Sequence, residues 1–315
     1  MLNPKPKLSI VTTLYRSAPY VRDFCRRAAA AARGVVDDDF EVIMVDDGSP
    51  DHALAEAIQM RSEFPNLRVL ELSRNFGHHS AILAGLEAAN GELVFFVDSD
   101  LEEAPELLLK FHPLLLNNDV DVVFGHHDRA GQSPLRRLTG AAFWWLIRQL
   151  TDVNIHPNLA NVRLMTKQYV RALVSMPDRN VFLGGMFAWP GFRQLAVPIK
   201  RTERNGRSSY SWVARLKLAA LAAVAFSDRP LFIVFWLGIL ITAVSFLIGA
   251  TFIFAKLLNP GLIVDGYTSL IVSLWFIGGT MIGSIGTVGF YIAHVYHQTR
   301  NRARYIIRKE HGGLN

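Results

Sequence analysis

The chain has 315 residues, room for about two domains at roughly 150 residues each. Half of it is hydrophobic, the mean hydropathy is +0.21 and 19% of residues are charged, which excludes a disordered chain, a collagen-like fibre and a small disulfide scaffold. The net charge of +6 leaves nucleic acid, phosphate-bearing ligands or an anionic membrane as partners, and the single cysteine, Cys25, excludes an intrachain disulfide and a cysteine-cluster metal site.

In chain order, Leu8–Leu14 (LSIVTTL) is a short β-branched run that predicts a strand. Further strands are predicted at Phe40–Val45, Leu67–Leu72, Leu93–Val97 and Val120–Phe124. Helical periodicity falls between them, at about Tyr20–Arg33, Ala53–Phe64, Ser80–Ala89 and Pro105–Leu116. Alternating strands and helices predict an α/β unit with a mostly parallel sheet covered on both faces. In such sheets ligands bind beyond the C-terminal strand ends. Two acidic clusters sit there: Asp46-Asp47-Gly48-Ser49 after the second strand and Asp98-Ser99-Asp100 after the fourth. No G-x-G-x-x-G follows the first strand and no P-loop signature occurs, so phosphates are handled another way.

Asp98 and Asp100 stand two residues apart, a spacing that puts both carboxylates on one side of an extended segment. Such hard oxygen donors suit Mg²⁺ or Mn²⁺, with Glu102 and Glu103 close enough to add a ligand. A bare D-x-D also reads as a solvated acidic turn or a helix cap before Pro105. Asp46-Asp47-Gly48 likewise reads as an Asp/Gly turn or as a ribose or base site.

Two later stretches mix basic and apolar residues, Leu135–Leu150 with Trp144 and Trp145, and Trp212–Phe226 with Arg215 and Lys217. Both read as interfacial amphipathic helices or as ordinary core helices. Pro230–Ala255 and Gly266–Ala293 hold no charged side chain, and each exceeds the roughly 20 residues that cross a hydrocarbon core. Two transmembrane helices are predicted. Arg229 before them and Arg300, Arg302, Arg304, Arg308 and Lys309 after them place the N-terminal unit and the C-terminus in the cytoplasm, a multi-pass arrangement in the inner (plasma) membrane. The basic tail reads as an inside anchor rather than a nucleic-acid arm. Gly279, Gly283, Gly286 and Gly289 form a small-residue stripe on which the first span or another copy of the chain could pack, the latter making a homo-oligomer. The expected division is therefore 1–210 catalytic, 211–229 juxtamembrane, 230–295 membrane-spanning and 296–315 tail.

VDDGS at Val45–Ser49 and DSD at Asp98–Asp100 resemble the signature of family-2 glycosyltransferases with a GT-A fold. SRNFGHHSAILAGL (Ser73–Leu86), RLM (Arg163–Met165), RNVFLGG (Arg179–Gly185), NGRSSY (Asn205–Tyr210) and the ending GFYIAHVYHQTRNRARY narrow the resemblance to the polyisoprenyl-phosphate glycosyltransferases. That group includes dolichol-phosphate mannose synthase and bacterial undecaprenyl-phosphate sugar transferases. The resemblance implies transfer of a sugar from a nucleotide-diphosphate sugar to a polyprenyl phosphate, of undecaprenyl or dolichyl type, with inversion. It implies that Thr12, Tyr15, Asp46, Asp47, Asp98, Ser208 and Tyr210 bind the donor. Asp98, Asp100 and Glu102 would hold Mg²⁺ or Mn²⁺, and Arg163 with Arg129, Arg136 and Arg137 would meet the acceptor phosphate. Asp98, Asp100 and Arg163 are the implied catalytic residues. His78 and His79 then read as polar groups near the nucleotide rather than a zinc pair, because adjacent helical side chains diverge. His126 and His127 follow a strand end and could face the acceptor or serve only the fold.

The chain also departs from the family pattern. The first strand ends in Thr13-Leu14-Tyr15-Arg16-Ser17 instead of Pro-x-Tyr-Asn-Glu, Asn161 replaces an acid, Ser209 a lysine and Phe290 a glutamate. An acceptor phosphate is ionised near neutral pH and needs no strong base, which accommodates Asn161. A hydroxyl acceptor on a lipid or glycan, or an inactive membrane-anchored binding protein, are the alternative readings.

Overall fold

The computed structural model of the protein describes residues 6–127, 156, 159–177, 183–200, 229–258, 267–300 and 302–312. In chain order these form β1 (Leu8–Leu14), α1 (Ala18–Val36), β2 (Phe40–Asp46), α2 (Ala53–Met60), β3 (Leu67–Leu72), α3 (His78–Ala88), β4 (Leu93–Phe96), α4 (Leu107–Asn117) and β5 (Val122–His127). There follow β6 (Leu159–Thr166), α5 (Lys167–Ser175), α6 (Leu183–Met186), β7 (Gln194–Ile199), α7 (Arg229–Leu258), α8 (Tyr267–Thr299) and β8 (Ile307–His311). The chain divides into two compact units, one formed by the sheet with its helices and residues 302–312, the other containing α7 and α8.

One eight-stranded sheet carries the first unit, in the order β7-β5-β6-β4-β1-β2-β3-β8. Every residue of β1 and β2 is buried, as expected of central strands covered on both faces. On one face, Leu8, Ile10, Leu14, Val42 and Met44 meet Val21, Phe24 and Ala28 of α1, Ala53 and Ala57 of α2, and Leu108 and Phe111 of α4. On the other, α3 packs on β1 and β2 and lies beside α5. Gly85 permits that approach, since a Cβ there would stand 2.4 Å from Val11 and 3.0 Å from Val45.

The sheet differs from a mostly parallel one in two places. β6 inserts antiparallel between β4 and β5, and β8 pairs antiparallel with β3. Neither strand reads as one in the sequence, because β6 carries Asn161 and Arg163 and β8 is mostly charged. The tail therefore divides: α8 runs to Thr299, and the residues from Arg302 onward belong to the sheet unit.

In the second unit, α7 and α8 have 30 and 33 residues. Within α8, the 18 residues Phe276–Ala293 have a mean hydropathy of 1.4 and none is buried, so this helix is long and apolar enough to cross a membrane. A Cβ added at Gly279, Gly283, Gly286 or Gly289 would meet nothing within 4 Å. The predicted interfacial stretches at 135–150 and 212–226 lie outside the described residues.

Candidate functional site

The C-terminal ends of β1, β2 and β4 open onto two adjoining cavities. The larger, about 420 Å³, is lined by Thr13, Tyr15, Arg16, Ser17, His78, Asp98, Ser99 and Asp100. The smaller, about 330 Å³, shares Thr13, Tyr15 and His78 and adds Asp47, Asn75 and Gly77. Both acidic clusters of the sequence thus reach one site.

The strand ends hold these side chains by short-range bonds. Ser99 Oγ donates to Thr13 O at 2.7 Å, which ties the Asp98–Asp100 turn to the end of β1. Asp100 Oδ1 accepts from Glu102 N at 3.1 Å. Leu101, between them, has φ 61°, and Arg16 after β1 has φ 55°, left-handed conformations unfavourable for side chains with a Cβ. Backbone strain of this kind gathers at ligand sites, and here it flanks the larger cavity on both sides. Asp47 accepts from Phe76 N at 2.7 Å and Gly77 N at 3.0 Å, so its carboxylate holds the loop that enters α3. Gly48, at φ +63°, lets that loop approach: a Cβ there would lie 2.7 Å from Asn75 N.

His78, the first residue of α3, bridges β1, β6 and the turn that follows β4. Its Nδ1 lies 3.2 Å from Thr13 Oγ1, and its Nε2 lies 3.3 Å from Asn161 Nδ2 and 3.4 Å from Asp98 Oδ1. Asn161 Nδ2 also donates to Asp98 Oδ2 at 3.0 Å. With Nε2 accepting from Asn161, the Nδ1–H donates to Thr13. Asp98 Oδ1 is then buried without a hydrogen-bond partner. Burial pushes the Asp98 carboxyl up, against the opposing pull of His78 and the Asn161 amide. A buried carboxylate oxygen lacking a hydrogen bond, beside a second carboxylate on the same cavity wall, fits a divalent cation that takes one or two carboxylates and completes its shell with water and phosphate. Among the described residues no group of three or more His, Cys, Asp or Glu side chains converges on one point, so protein donors alone would not cage the ion.

Tyr15 stands at the rim, 47% exposed. Thr12 is fully buried and absent from both cavity walls, whereas its neighbour Thr13 lines both, because adjacent strand residues face opposite sides. Asp46 is buried just below the site, and burial raises its pKa to about 6 despite backbone donors from Gly48 and Ser49. Glu102 touches the site through its backbone N–H and is not among the lining residues.

Arg163 does not offer its guanidinium to either cavity, contrary to the acceptor-phosphate expectation. It is 1% exposed, donates from Nε to Asn161 O at 3.0 Å and from Nη2 to Ala160 O at 3.3 Å, and lies over the Phe187 ring. Burial lowers its pKa to about 10, which leaves it protonated at neutral pH beneath Asp98. His127 pairs with buried Glu103 at 3.1 Å, and the His126 ring lies tilted against His156 with centroids 4.8 Å apart. Arg129, Arg136, Arg137, Ser208, Ser209 and Tyr210 lie outside the described residues. Thr13, Arg16, Ser17 and Asn75 are site residues that sequence reasoning missed. Their signal is adjacency to a strand end, which by itself does not separate wall from turn.

Comparison with known proteins converges on one family. Residues 9–168 match the model described as glycosyl transferase family 2. The chain is 41% identical over 308 residues to a protein described as putative glycosyltransferases from Mycobacterium tuberculosis, covering 97% of this chain and 89% of that one. It is 33% identical over 280 residues to a bactoprenol glucosyl transferase of Shigella phage SfII, covering 87% and 88%. Among solved structures, the mannosyltransferase PcManGT from Pyrobaculum calidifontis, in complex with GDP-Man and Mn²⁺, shares the fold at 16% identity and a TM-score of 0.50, over 94% of this chain and 86% of that one.

Proposed function

The chain belongs to glycosyltransferase family 2, and from that membership we propose that it moves a sugar from a nucleotide-diphosphate sugar to a polyprenyl phosphate at a membrane surface. The observation that carries the reading is the paired cavity with Asp98 and Asp100 on its wall and one Asp98 oxygen without a hydrogen bond. The similarity to a bactoprenol glucosyl transferase over most of both chains supports the acceptor class.

Asp98 and Asp100, with Glu102 adjacent, would hold Mg²⁺ or Mn²⁺, which when bound neutralises the charge of the departing diphosphate. Tyr15 offers an exposed ring to the base. Asp47 and Asn75 offer polar groups to the base or ribose in the smaller cavity. Arg16, exposed on the wall of the larger cavity, is a cation for the diphosphate. Arg163 supplies a fixed positive charge under Asp98. An acceptor phosphate oxygen attacks the anomeric carbon as the bond to the diphosphate breaks, and the nucleoside diphosphate leaves with the electron pair. Direct displacement inverts the anomeric centre. Alignment and charge stabilisation then supply the catalysis. Asn161, an amide bonded to Asp98, cannot take a proton from an attacking hydroxyl, which favours the ionised phosphate over a hydroxyl acceptor.

The apolar helix α8 and the basic residues that flank the helices support attachment to a membrane. β7 precedes α7, β8 follows α8, and both strands belong to one sheet, so any bilayer crossings between them are even in number. α8 has the length and apolarity for one crossing. α7, whose 30 residues extend about 45 Å, would supply the second. The basic residues flanking the pair support a cytoplasmic sheet unit.

The test is to incubate membranes containing the full chain with labelled nucleotide sugars and undecaprenyl phosphate. A lipid product labile to mild acid is expected. An acid-stable product would move the reading to a hydroxyl acceptor, and nucleotide-sugar binding without turnover would make the chain a binding protein.

A further inference from the structure

The segment that follows α8 reaches the start of the loop that leads to the smaller cavity. Arg304 donates to the carbonyls of Val174, at 3.3 Å, and Met176 at the end of α5, and the Tyr305 hydroxyl bonds Glu87 on α3. Ile306 O accepts from Ser73 N at 2.9 Å. β8 then pairs with β3 from Leu72 back to Val69. Side chains repeat the pairing: Arg308 and His311 both reach Glu71, and Arg68, itself bonded to buried Glu41 at 2.6 Å, reaches Glu310 at 2.8 Å.

Ser73 begins the loop that carries Asn75 and Gly77 to the cavity. The far end of that loop is held by the Asp47 carboxylate on Phe76 N and Gly77 N. The near end is held by Ile306. Without the tail, β3 would be an open sheet edge and Ser73 N–H would lose its partner, leaving the near end of the loop held only through the pairing of β3 with β2, which ends at Glu71.

We propose that the segment Arg302–Gly312 is a positioning element of the nucleotide-binding cavity, fixing the loop Ser73–Gly77 so that Asn75 and Asp47 meet the donor nucleotide. The inference rests on the donor-site reading above. It gives the tail a positioning role without contact to substrate: a strand that begins eight residues beyond the apolar helix supports the donor wall.

The full-length protein in detergent tests this through the double variant Lys309→Pro/Glu310→Pro. Neighbouring strand residues alternate in bonding direction, so one of the two prolines removes a ladder donor. Hydrogen exchange is expected to rise in residues 307–311 and 73–77 together, with α1 and β2 unchanged. The dissociation constant for UDP or GDP, each measured with Mn²⁺, is expected to rise about three- to tenfold, the effect of one or two net hydrogen bonds. Arg304→Ala/Tyr305→Phe leaves the backbone intact, and a smaller change in the same two readouts is expected, which covers the case in which the prolines unfold the sheet. Release of 307–311 with unaltered exchange at 73–77, or with unaltered nucleotide affinity, would overturn the tail's role. Wild-type protein that binds neither nucleotide would overturn the donor-site reading, and the tail's role with it.

Discussion

Asp98 and Asp100 differ in what surrounds them: Asp98 is pressed between His78 and Asn161, and Asp100 is capped by the Glu102 amide. Asp100→Ala is expected to lower turnover by about 10²–10³-fold while metal-free nucleotide binding persists, measured by steady-state kinetics and nucleotide titration. Wild-type-like turnover in that variant would remove the metal-site assignment. Asp46 gives a pH signature. Its folded pKa of about 6 exceeds the ordinary 3.8, so between these values the folded state keeps a proton that the unfolded chain has lost. Stability attributable to this group therefore falls as pH rises from about 4 to 6 and is level above that. Asp46→Asn removes the slope and is expected to gain ~1–3 kcal/mol at pH 7, with the advantage vanishing toward pH 4, read from unfolding midpoints across that range. Cys25 is buried and its thiol is pushed up to about 12, so native protein is expected to resist thiol reagents at pH 8 and to label only on unfolding.

At the scale of elements, the loop between β3 and α3 decides whether the two acidic clusters make one site. Gly48→Ala puts a Cβ in a left-handed residue and 2.7 Å from Asn75 N. It is expected to cost about 1–2 kcal/mol and to raise donor KM by displacing the loop, checked by urea unfolding and kinetics. The first five strands and four intervening helices are legible in the sequence because apolar runs and 3.6-residue periodicity alternate there. Their observed ends lie within a few residues of expectation, as at β1 (Leu8–Leu14) and β3 (Leu67–Leu72). β6 is not legible. Its Asn161 and Arg163 break the apolar run, and their placement makes sense only beside β4, where Phe96 registers with Arg163 and Asn161 reaches Asp98. β8 is hidden in the same way: IRKEH reads as a solvated basic tail until Arg68 and Glu71 of β3 are set against it.

For the whole molecule, the apolar excess of the composition resolves into one long pair of helices, set between two strands of a single sheet. That insertion predicts both helix ends on the same side of the bilayer. Val264→Cys, between the helices, is expected to react with a membrane-impermeant thiol reagent applied to intact cells, and Lys309→Cys is not. The inertness of Cys25 keeps the background low. Labelling of Lys309→Cys from outside would overturn the even number of crossings. The sequence by itself determined the α/β class, the positions of the acidic clusters at strand ends and the family resemblance, because apolar periodicity and short motifs are local properties. Only the tertiary structure decided that Thr13 rather than Thr12 faces the site and that Arg163 is buried beneath Asp98 instead of open to a ligand. It also decided that the charged tail is the eighth strand. Those outcomes depend on which strand lies beside which, and pairing between residues as far apart as Arg68 and Glu310 leaves no local trace.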